Sequence, residues 1–478
     1  MTTAASDITY HSRALNLRLD EIVHISDYAL GDGSDDTQAF HDALALKKPV
    51  YIAPGHSYHI GELQLSDDAV LFSHLPATYY NAADMAGLGN RVAQLKALDG
   101  ASTVLDLNGA KGVRLSGLTI NGNAQTAHGI SGSALTPHLQ DISVFACDIG
   151  MGGYWGGAEL ISCSAGGNKT GLKDLIDAKV YGGFFNANST GIYMGEGAND
   201  NTFIGVKNEW NSQDNYLFYR TSSNSIIGGV IDRAGRYGIN LAESELIVSG
   251  LKMRRNGYKG GTSGHLHLKD ARSVSIHNII TQHGVNDDGS TGLDSPEHAI
   301  TFAGNSDRVT LIGNDLTGCT GTALINEQTV ADYIQRDNQG VDARVSTGTE
   351  QAYKGRQFQS RATATVTTGA TVSAIALRQA GSGSYSRAPR QLIVTGRNAS
   401  TGGTLYGELA YVLSREGGPA SMKFISQGIQ GGNGDHAGTS ASDTVQITLN
   451  CLTDDGSQLE LSATNNRPGT LQLSFELI

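Results

Sequence analysis

The chain has 478 residues, with 62 glycines, 8 prolines and a formal net charge of −12. That charge argues against a nucleic-acid partner, and no apolar run reaches the roughly 18 residues that a membrane span needs. Many glycines and few charged residues favour short strands joined by tight turns. No Cys/His spacing typical of zinc occurs, so we expect no metal and no cofactor, and we expect the four cysteines to be free thiols.

The N-terminal part of the chain predicts one helix. Residues 1–28 lack the basic and apolar regions of a secretory signal peptide. A turn followed by a helix at about 36–47 is predicted by the next segment, LGDGSDDTQAFHDAL, in which Asp35 or Asp36 can cap the helix. The apolar side chains of one helix face are Ala39, Phe40, Ala43, Leu44 and Leu46. We expect this face to cover the open end of the strands that follow.

A short frame recurs through the middle of the chain: an apolar residue, any residue, Gly or Asn, and a further apolar residue three positions on. The frame residues are Gly117, Asp141, Gly182, Gly205, Gly228, Gly250, Asn278 and Gly313. From Gly182 onward the steps between them are 23, 23, 22, 28 and 35 residues. A near-constant step with alternating apolar residues predicts a β-solenoid whose coils stack about 4.8 Å apart.

The pattern changes in the last third of the chain. The frame fades near residue 327, and residues 336–360 are interpreted as a linker or a swapped segment. About eight longer strands over residues 361–478 predict an antiparallel β-sandwich. The predicted fold is therefore all-β, with a solenoid and its N-terminal helix cap over residues 29–335 followed by the sandwich.

The helix segment and the strand after it resemble the beginning of a known superfamily. The pattern GDGSDDT, then the strand Val50 to Gly55 and Tyr58, is similar to the first segment of pectate-lyase-like proteins of the rhamnogalacturonase/epimerase type. Bacteriophage tailspike depolymerases share this segment. The resemblance covers about residues 27–335 and implies a right-handed parallel β-helix. It does not fix the chemistry, because the superfamily includes hydrolases, lyases, epimerases and non-catalytic binders.

The tailspike resemblance also implies partners and a location. It implies a homotrimer in the virion tail that acts on a bacterial surface polysaccharide, either capsule, exopolysaccharide or O-antigen. Residues 1–28 would contact other tail proteins, and residues 361–478 would serve trimerisation or glycan binding. The lack of a recognisable signal peptide agrees with a protein made in the cytoplasm and released by lysis.

Stacked coils turn the sequence period into columns of side chains. The residues four positions after each frame residue are Asn186, Glu209, Asp232, Arg254, Gln282 and Thr317. Glu209 and Asp232 would therefore be neighbours, and two carboxylates about 5 Å apart repel by about 3 kcal/mol at an effective dielectric near 20. One of them would keep a proton unless Arg233 or Arg254 offsets the repulsion. Such a pair is what glycoside hydrolysis requires, so we predict that both are catalytic in a solvent-exposed groove.

Aromatic and basic residues surround the predicted pair. The expected substrate-binding residues are Trp210, Arg233, Tyr237, Arg254, Arg255, Tyr258, His283 and Asp287. The longest insertion, residues 284–299, could wall the groove, supply an acid or bind calcium. Its candidate groups are Asp287, Asp288, Asp294, Glu297 and His298. In the alternating segment HLHL, both His265 and His267 are predicted to point outward.

Three other interpretations stay open. The charged column could be a surface ladder that pairs across coils without catalytic function. The chemistry could be β-elimination on a uronic-acid polymer, with Arg254, Arg255, Lys259, His283 or Tyr258 supplying the base and the neutralising cation. The chain could also be a receptor-binding spike that binds a polysaccharide without cutting it.

Overall fold

A computed structural model describes the backbone and side chains of most of the first two thirds of the chain. The described ranges are 21–75, 91–124, 128–259, 264–284 and 296–341, without the side chain at position 328. Outside them, only the placement of strands is described, including the antiparallel pair Thr9–Tyr10 and Arg13–Ala14.

The chain divides into two compact units. The first comprises Met1–Asn326 and Gln335–Gly340, and the second comprises Glu327–Ile334 and Val341–Ile478. The strand Val330–Arg336 passes from the second unit into the first. The predicted domain boundaries, including the linker at 336–360, stay predictions.

The first unit is a right-handed parallel β-solenoid of about 12 turns, which confirms the predicted coil. A typical coil contributes one strand to each of three parallel sheets, here called face A, face B and face C in the order in which the chain passes through them. The strands of face A that lie wholly in the first unit are Val23–His24, Val50–Tyr51, Val70–Phe72, Arg114–Ser116, His138–Gln140, Glu159–Ile161, Lys179–Tyr181, Thr202–Ile204, Asn224–Ile227, Glu245–Ser249, Ser273–His277 and Ser306–Ile312. The strands of face B are Ser57–Ile60, Ala93–Ala97, Leu118–Asn121, Ser143–Phe145, Ser164–Gly166, Phe184–Asn186, Lys207–Glu209, Val230–Asp232, Lys252–Arg254 and Ile280–Gln282. The strands of face C are Leu63–Gln64, Thr103–Asp106, Ala110–Lys111, His128–Ser131, Ala134–Leu135, Ile149–Gly156, Thr170–Ile176, Thr190–Met194, Tyr216–Tyr219, Tyr237–Ala242, Gly264–Lys269, His298–Ala303 and Leu324–Ile325.

Helix is scarce in the described residues. The predicted helix is present as Thr37–Ala45 and buries Phe40 and Ala43. At its start the Thr37 N–H donates to Asp35 Oδ1 at 2.9 Å. Two 3-10 turns lie at Ile25–Asp27 and Glu327–Thr329. None of the described helices has the length and apolar character needed to cross a bilayer.

The predicted frame residue of each coil lies at the corner between face A and face B. Gly182, Gly205 and Gly228 have φ angles of 61°, 65° and 63°, in the left-handed region that glycine enters without penalty. Asp141 and Asn278 have φ angles of 51° and 52° at the same corner, where short polar residues are tolerated. The frame therefore marks a repeated backbone requirement.

Buried asparagines join successive coils at the corner between face B and face C. The Cys147 N–H donates to Asn168 Oδ1 at 2.9 Å, the Asn168 N–H donates to Asn188 Oδ1 at 3.0 Å, and the Asn188 N–H donates to Asn211 Oδ1 at 2.9 Å. The side-chain amide of Asn188 donates in turn to the carbonyl of Ala165 at 3.0 Å. This ladder satisfies backbone groups that the corner leaves unpaired by strand bonds.

Aliphatic and aromatic side chains fill most of the inside of the coil in the described residues, and buried polar side chains such as Asn208 and His265 lie among them. His265 is buried, so the prediction that it points outward is wrong. The registers place it between Gly238 and Ala299 of the neighbouring coils, and their small side chains leave the space that the imidazole fills. Cys147 and Cys163 are free and buried, and burial raises both thiol pKa values to about 12.

The second unit contains two sheets whose strands pair antiparallel, except that Ala437–Gly438 pairs parallel with Val445–Cys451. In pairing order, one sheet contains Ser360–Val366, Leu471–Leu477, Arg390–Asn398, Thr404–Ser414 and Ser421–Ile429. The other contains Thr371–Arg378, Gln458–Asn465, Val445–Cys451 and Ala437–Gly438. Their packing into a sandwich stays a prediction.

Candidate functional site

The predicted column of polar residues lies on face B. Asn186 is the register partner of Glu209, Glu209 of Asp232, Asp232 of Arg254, and Arg254 of Gln282. The prediction that Glu209 and Asp232 are direct neighbours is confirmed. Both lie at the C-terminal ends of their strands, where the chain leaves face B for the corner toward face C.

The cationic side chains of Lys207, Arg254 and Arg255 contact the two carboxylates. Glu209 Oε2 lies 3.3 Å from Lys207 Nζ, and Glu209 Oε1 lies 3.9 Å from a terminal nitrogen of Arg254. The same Arg254 nitrogen lies 2.9 Å from Asp232 Oδ2. Arg255 Nε donates to Asp232 Oδ1 at 3.0 Å, and its NH2 group pairs with Oδ2. Arg254 therefore bridges both carboxylates.

Glu209 and Asp232 are each only 1% exposed. The prediction that they stand open in a groove is wrong, because long basic side chains from their own and the next coil contact them. The side chains of Lys207 and Arg254 are 30% and 35% exposed and form the outer part of the cluster. A ligand that binds to face B would therefore contact these cations before it contacts the carboxylates.

The charges decide the electrostatics of the cluster. Lys207, Arg254 and Arg255 together carry more charge than Glu209 and Asp232, so the repulsion between the two carboxylates is offset and these five groups have a net positive charge. An excess of buried and half-buried cations favours an anionic group on the ligand.

Trp210 supplies the aromatic surface beside the carboxylates. It is 39% exposed, and the guanidinium carbon of Arg233 lies 4.0 Å from its ring centroid. Such a contact is a cation–π interaction that fixes the ring plane. Both residues follow face-B strands and have left-handed φ angles of 56° and 51°. The exposed part of the indole is suited to stacking on a sugar ring.

Loop length varies most at the corner beside this cluster. In the coils from Phe184 to His298, the corner between faces A and B always has two residues. The corner between faces B and C has 3, 6, 4, 9 and 15 residues in successive coils. These longer loops account for the steps of 28 and 35 residues in the sequence. Loops on a rigid scaffold commonly carry function.

The other predicted binding residues divide between two places. Tyr258 is 44% exposed in the nine-residue loop, and His283 is exposed where the longest loop begins. Asp287, Asp288 and Asp294 lie outside the described residues. Tyr237 belongs to face C, where its ring stacks on His267 with centroids 4.5 Å apart.

Sequence reasoning missed two ion pairs. Lys207 is two residues before Glu209 on one strand, so strand alternation could have placed both side chains on the same side. Buried Asp214 pairs with Arg236, and Asn240 Nδ2 donates to its Oδ2 at 2.9 Å. Asp214 lies in a corner loop, where no alternation signals its direction.

A likeness to one solved structure supports the fold described above. No family model matches the chain. The A-module of a mannuronan C-5 epimerase of Azotobacter vinelandii matches with a TM-score of 0.51 and 17% identity, over 66% of this chain and 98% of that one. The tailspike protein of Acinetobacter phage vB_ApiP_P1 matches with a TM-score of 0.41 and 12% identity, over 96% and 87%. An N-terminal fragment of gene product 12 of bacteriophage Phi29 matches with a TM-score of 0.48 and 15% identity, over 68% of this chain and 67% of that one. The first likeness and the strand registers together establish a parallel β-solenoid.

Proposed function

We propose that the protein is a phage tailspike depolymerase that cuts a bacterial surface polysaccharide. The resemblance of its GDGSDDT segment and following strand to tailspike depolymerases supports this function. The observation that carries the site is the charged column on face B, where Glu209 and Asp232 are paired beside the exposed ring of Trp210.

Hydrolysis by this pair is the first chemical proposal. Glu209 and Asp232 would act as acid and as base or nucleophile once a bound sugar displaces the outer cations, Lys207 and Arg254. Removing one cation from the pair restores the repulsion between the two carboxylates. The sugar ring would stack on Trp210 while its hydroxyl groups bond to the released side chains.

β-Elimination on a uronic-acid polymer is the second candidate. It is favoured by the excess of cations, because this reaction needs a positive group against the carboxylate of the sugar and a base near its C5 proton. Arg254 and Arg255 would supply the charge, and Tyr258 or His283 would supply the base from the adjoining loops.

Substituting the two carboxylates tests the site. Glu209→Gln and Asp232→Asn should each lower depolymerisation by about 10²–10⁴-fold, the usual contribution of an acid or base, while polysaccharide binding persists. The substrates are an array of purified capsular polysaccharides, exopolysaccharides and O-antigens. New reducing ends without ultraviolet absorbance indicate hydrolysis, and absorbance from a new C4–C5 double bond indicates elimination.

The matched control is Glu245→Gln, a half-buried carboxylate on face A. Circular dichroism must show that each variant is folded at the assay temperature, because removing one partner of a buried ion pair costs about 3–5 kcal/mol. Wild-type activity in both face-B variants would remove these residues from catalysis. Binding without turnover in the wild-type protein would instead favour a receptor-binding spike.

The remaining parts complete the tailspike proposal. We infer that the helix Thr37–Ala45 covers the first coil and that residues 1–28 contact other tail proteins. Residues 361–478 would form a sandwich for trimerisation or glycan binding, so the homotrimer would act outside the host cell from the virion tail.

A further inference from the structure

A second cluster of aromatic and charged residues lies on face C, on coils that precede Glu209. Its members are Tyr154, Lys173, Asp174, Tyr193 and Gly195. Lys173 and Tyr193 are register partners on neighbouring coils, and Lys173 Nζ lies 5.8 Å from the centre of the Tyr193 ring. The residues therefore form one patch on adjoining strands.

The backbone at this patch departs from regular strand geometry. Tyr154 and Asp174 have left-handed φ angles of 60° and 47° in the middle of their strands. Every other described non-glycine residue with such an angle lies outside a strand. The register between the two strands shifts at this point, between Gly152 and Trp155. Bulges and left-handed residues within strands re-aim side chains, and they are frequent at functional sites.

Asp174 is a carboxylate held at the bottom of the patch. It is 5% exposed, and its Oδ1 accepts the Gly195 N–H at 2.7 Å. Its Oδ2 lies 3.8 Å from Lys173 Nζ and accepts no hydrogen bond from the described residues. Burial raises the pKa of this carboxyl. One oxygen is therefore available to bond a hydroxyl group.

Because Gly195 has no side chain, it leaves a small notch beside the carboxylate and a phenol, too narrow to hold a methyl group unless a neighbour moves. A Cβ at this residue would lie 3.0 Å from the Tyr193 hydroxyl and 3.1 Å from Asp174 Oδ1. On the other side, Tyr154 is 47% exposed and its hydroxyl donates to the carbonyl of Glu196 at 3.3 Å. Two tyrosines thus flank a gap with an acceptor and a hydroxyl group at its base.

We propose that this notch, formed by Tyr154, Asp174, Tyr193 and Gly195, is a second saccharide-binding site that is separate from the cluster on face B. Its ligand is a hydroxyl-rich sugar of the same polymer, which stacks on the tyrosines and bonds to the Asp174 carboxyl. This inference depends on the proposed function, because it assumes a polysaccharide substrate. The notch would hold the polymer while another segment of it lies on face B.

Filling the notch tests the proposal. Gly195 has no left-handed φ, so Gly195→Ala places a methyl group in the gap without backbone strain. We expect this variant and Tyr193→Ala each to weaken binding to the polysaccharide array by about tenfold or more. Gly264→Ala is the matched control, since it adds a methyl group elsewhere on face C with its nearest neighbour at 3.3 Å. Binding is measured in the Glu209→Gln background so that the polymers stay intact.

The outcomes separate this inference from the proposed function. Loss of binding in the notch variants but not in Gly264→Ala supports the second site. Unchanged binding in both notch variants, together with loss in Trp210→Ala, overturns the second site and leaves the face-B proposal standing. If no polysaccharide on the array binds the wild-type chain, both proposals fail. If the notch variants instead change the mass measured by light scattering, the patch is a contact between copies of the chain.

Discussion

His265 occupies a position inside the coil where neighbouring coils place glycine or alanine. Its Nδ1 lies 3.0 Å from Asn256 Nδ2, and its Nε2 lies 2.9 Å from the Gly318 carbonyl oxygen. Burial lowers its pKa to about 4 from an ordinary value of 6.5. The histidine is therefore neutral in the folded protein over a range in which the unfolded chain binds a proton.

This difference predicts how stability depends on pH. Because the unfolded state binds more protons between pH 6.5 and about 4, the free energy of unfolding falls as the pH is lowered through that range. The loss is of order 3 kcal/mol at 1.36 kcal/mol per pKa unit. Urea unfolding at pH 7, 5 and 4 measures it. His265→Asn should flatten the slope, whereas His56→Asn, at an exposed residue, should keep it. A slope that persists in His265→Asn would contradict the assignment.

For Asp174 we predict a pH dependence of stability with the opposite sign. Its folded pKa is raised, so the folded state holds the proton more tightly and ionisation lowers stability as the pH rises through the folded pKa. Asp174→Asn keeps an acceptor for the Gly195 N–H and removes the charge. We expect the variant to be more stable than the wild-type chain at pH 7 and to lose this advantage below the ordinary carboxyl pKa of 3.8. Thermal unfolding across this range tests it, and lower stability of the variant at pH 7 would refute it.

At the scale of the element, the asparagine ladder holds the corner between faces B and C. Asn188 accepts the backbone N–H and the side-chain amide of Asn168, both at 3.0 Å, and all these groups are buried. Removing the Asn188 side chain leaves buried donors without an acceptor, and each such donor lowers the free energy of unfolding by about 1–3 kcal/mol.

Asn188→Ala should therefore lower the free energy of unfolding by at least about 2 kcal/mol. Ser189→Ala, at the next residue and half-buried, should change it by less than about 0.5 kcal/mol. Denaturant unfolding of both variants provides the comparison. Equal stabilities would mean that water replaces the ladder without penalty.

The sequence predicted which residues are neighbours on successive coils better than it predicted whether their side chains are buried or exposed. Glu209 and Asp232 could be placed as neighbours because Gly182, Gly205 and Gly228 mark one backbone angle in every coil. The burial of the pair was not predictable, since it depends on where flexible Lys207 and Arg254 side chains come to rest. His265 was misplaced for another reason: at the start of face C, two successive residues point inward, and alternation fails.

At the scale of the whole molecule, face A carries an outward row of apolar residues. Ile161, Tyr181, Ile204 and Ile227 are successive register partners. Ile227 is 44% exposed, and Ile247 on the next coil is 49% exposed. Exposed apolar rows of this kind mark interfaces between proteins, so this row is our candidate surface for the proposed homotrimer.

Light scattering tests the trimer. We expect a mass three times the 50.2 kDa of the chain and expect Ile204→Lys or Ile227→Lys to lower it, because an ammonium group at a closed apolar interface loses its hydration. Thr202→Lys, on the same face-A strand, is the control. A wild-type mass of 50.2 kDa would rule out the trimer.

The corner between faces A and B keeps two residues from Phe184 to His298, while the corner between faces B and C grows from 3 to 15. Changes in the length of the corner between faces B and C therefore leave the stacking of the coils unaltered. Segments such as residues 255–263 could be exchanged between related chains, or lengthened by selection, and the strands would still meet in register. Under the proposed function, recombination at this corner would adapt the chain to a new host polysaccharide with no compensating change in the strands that support it.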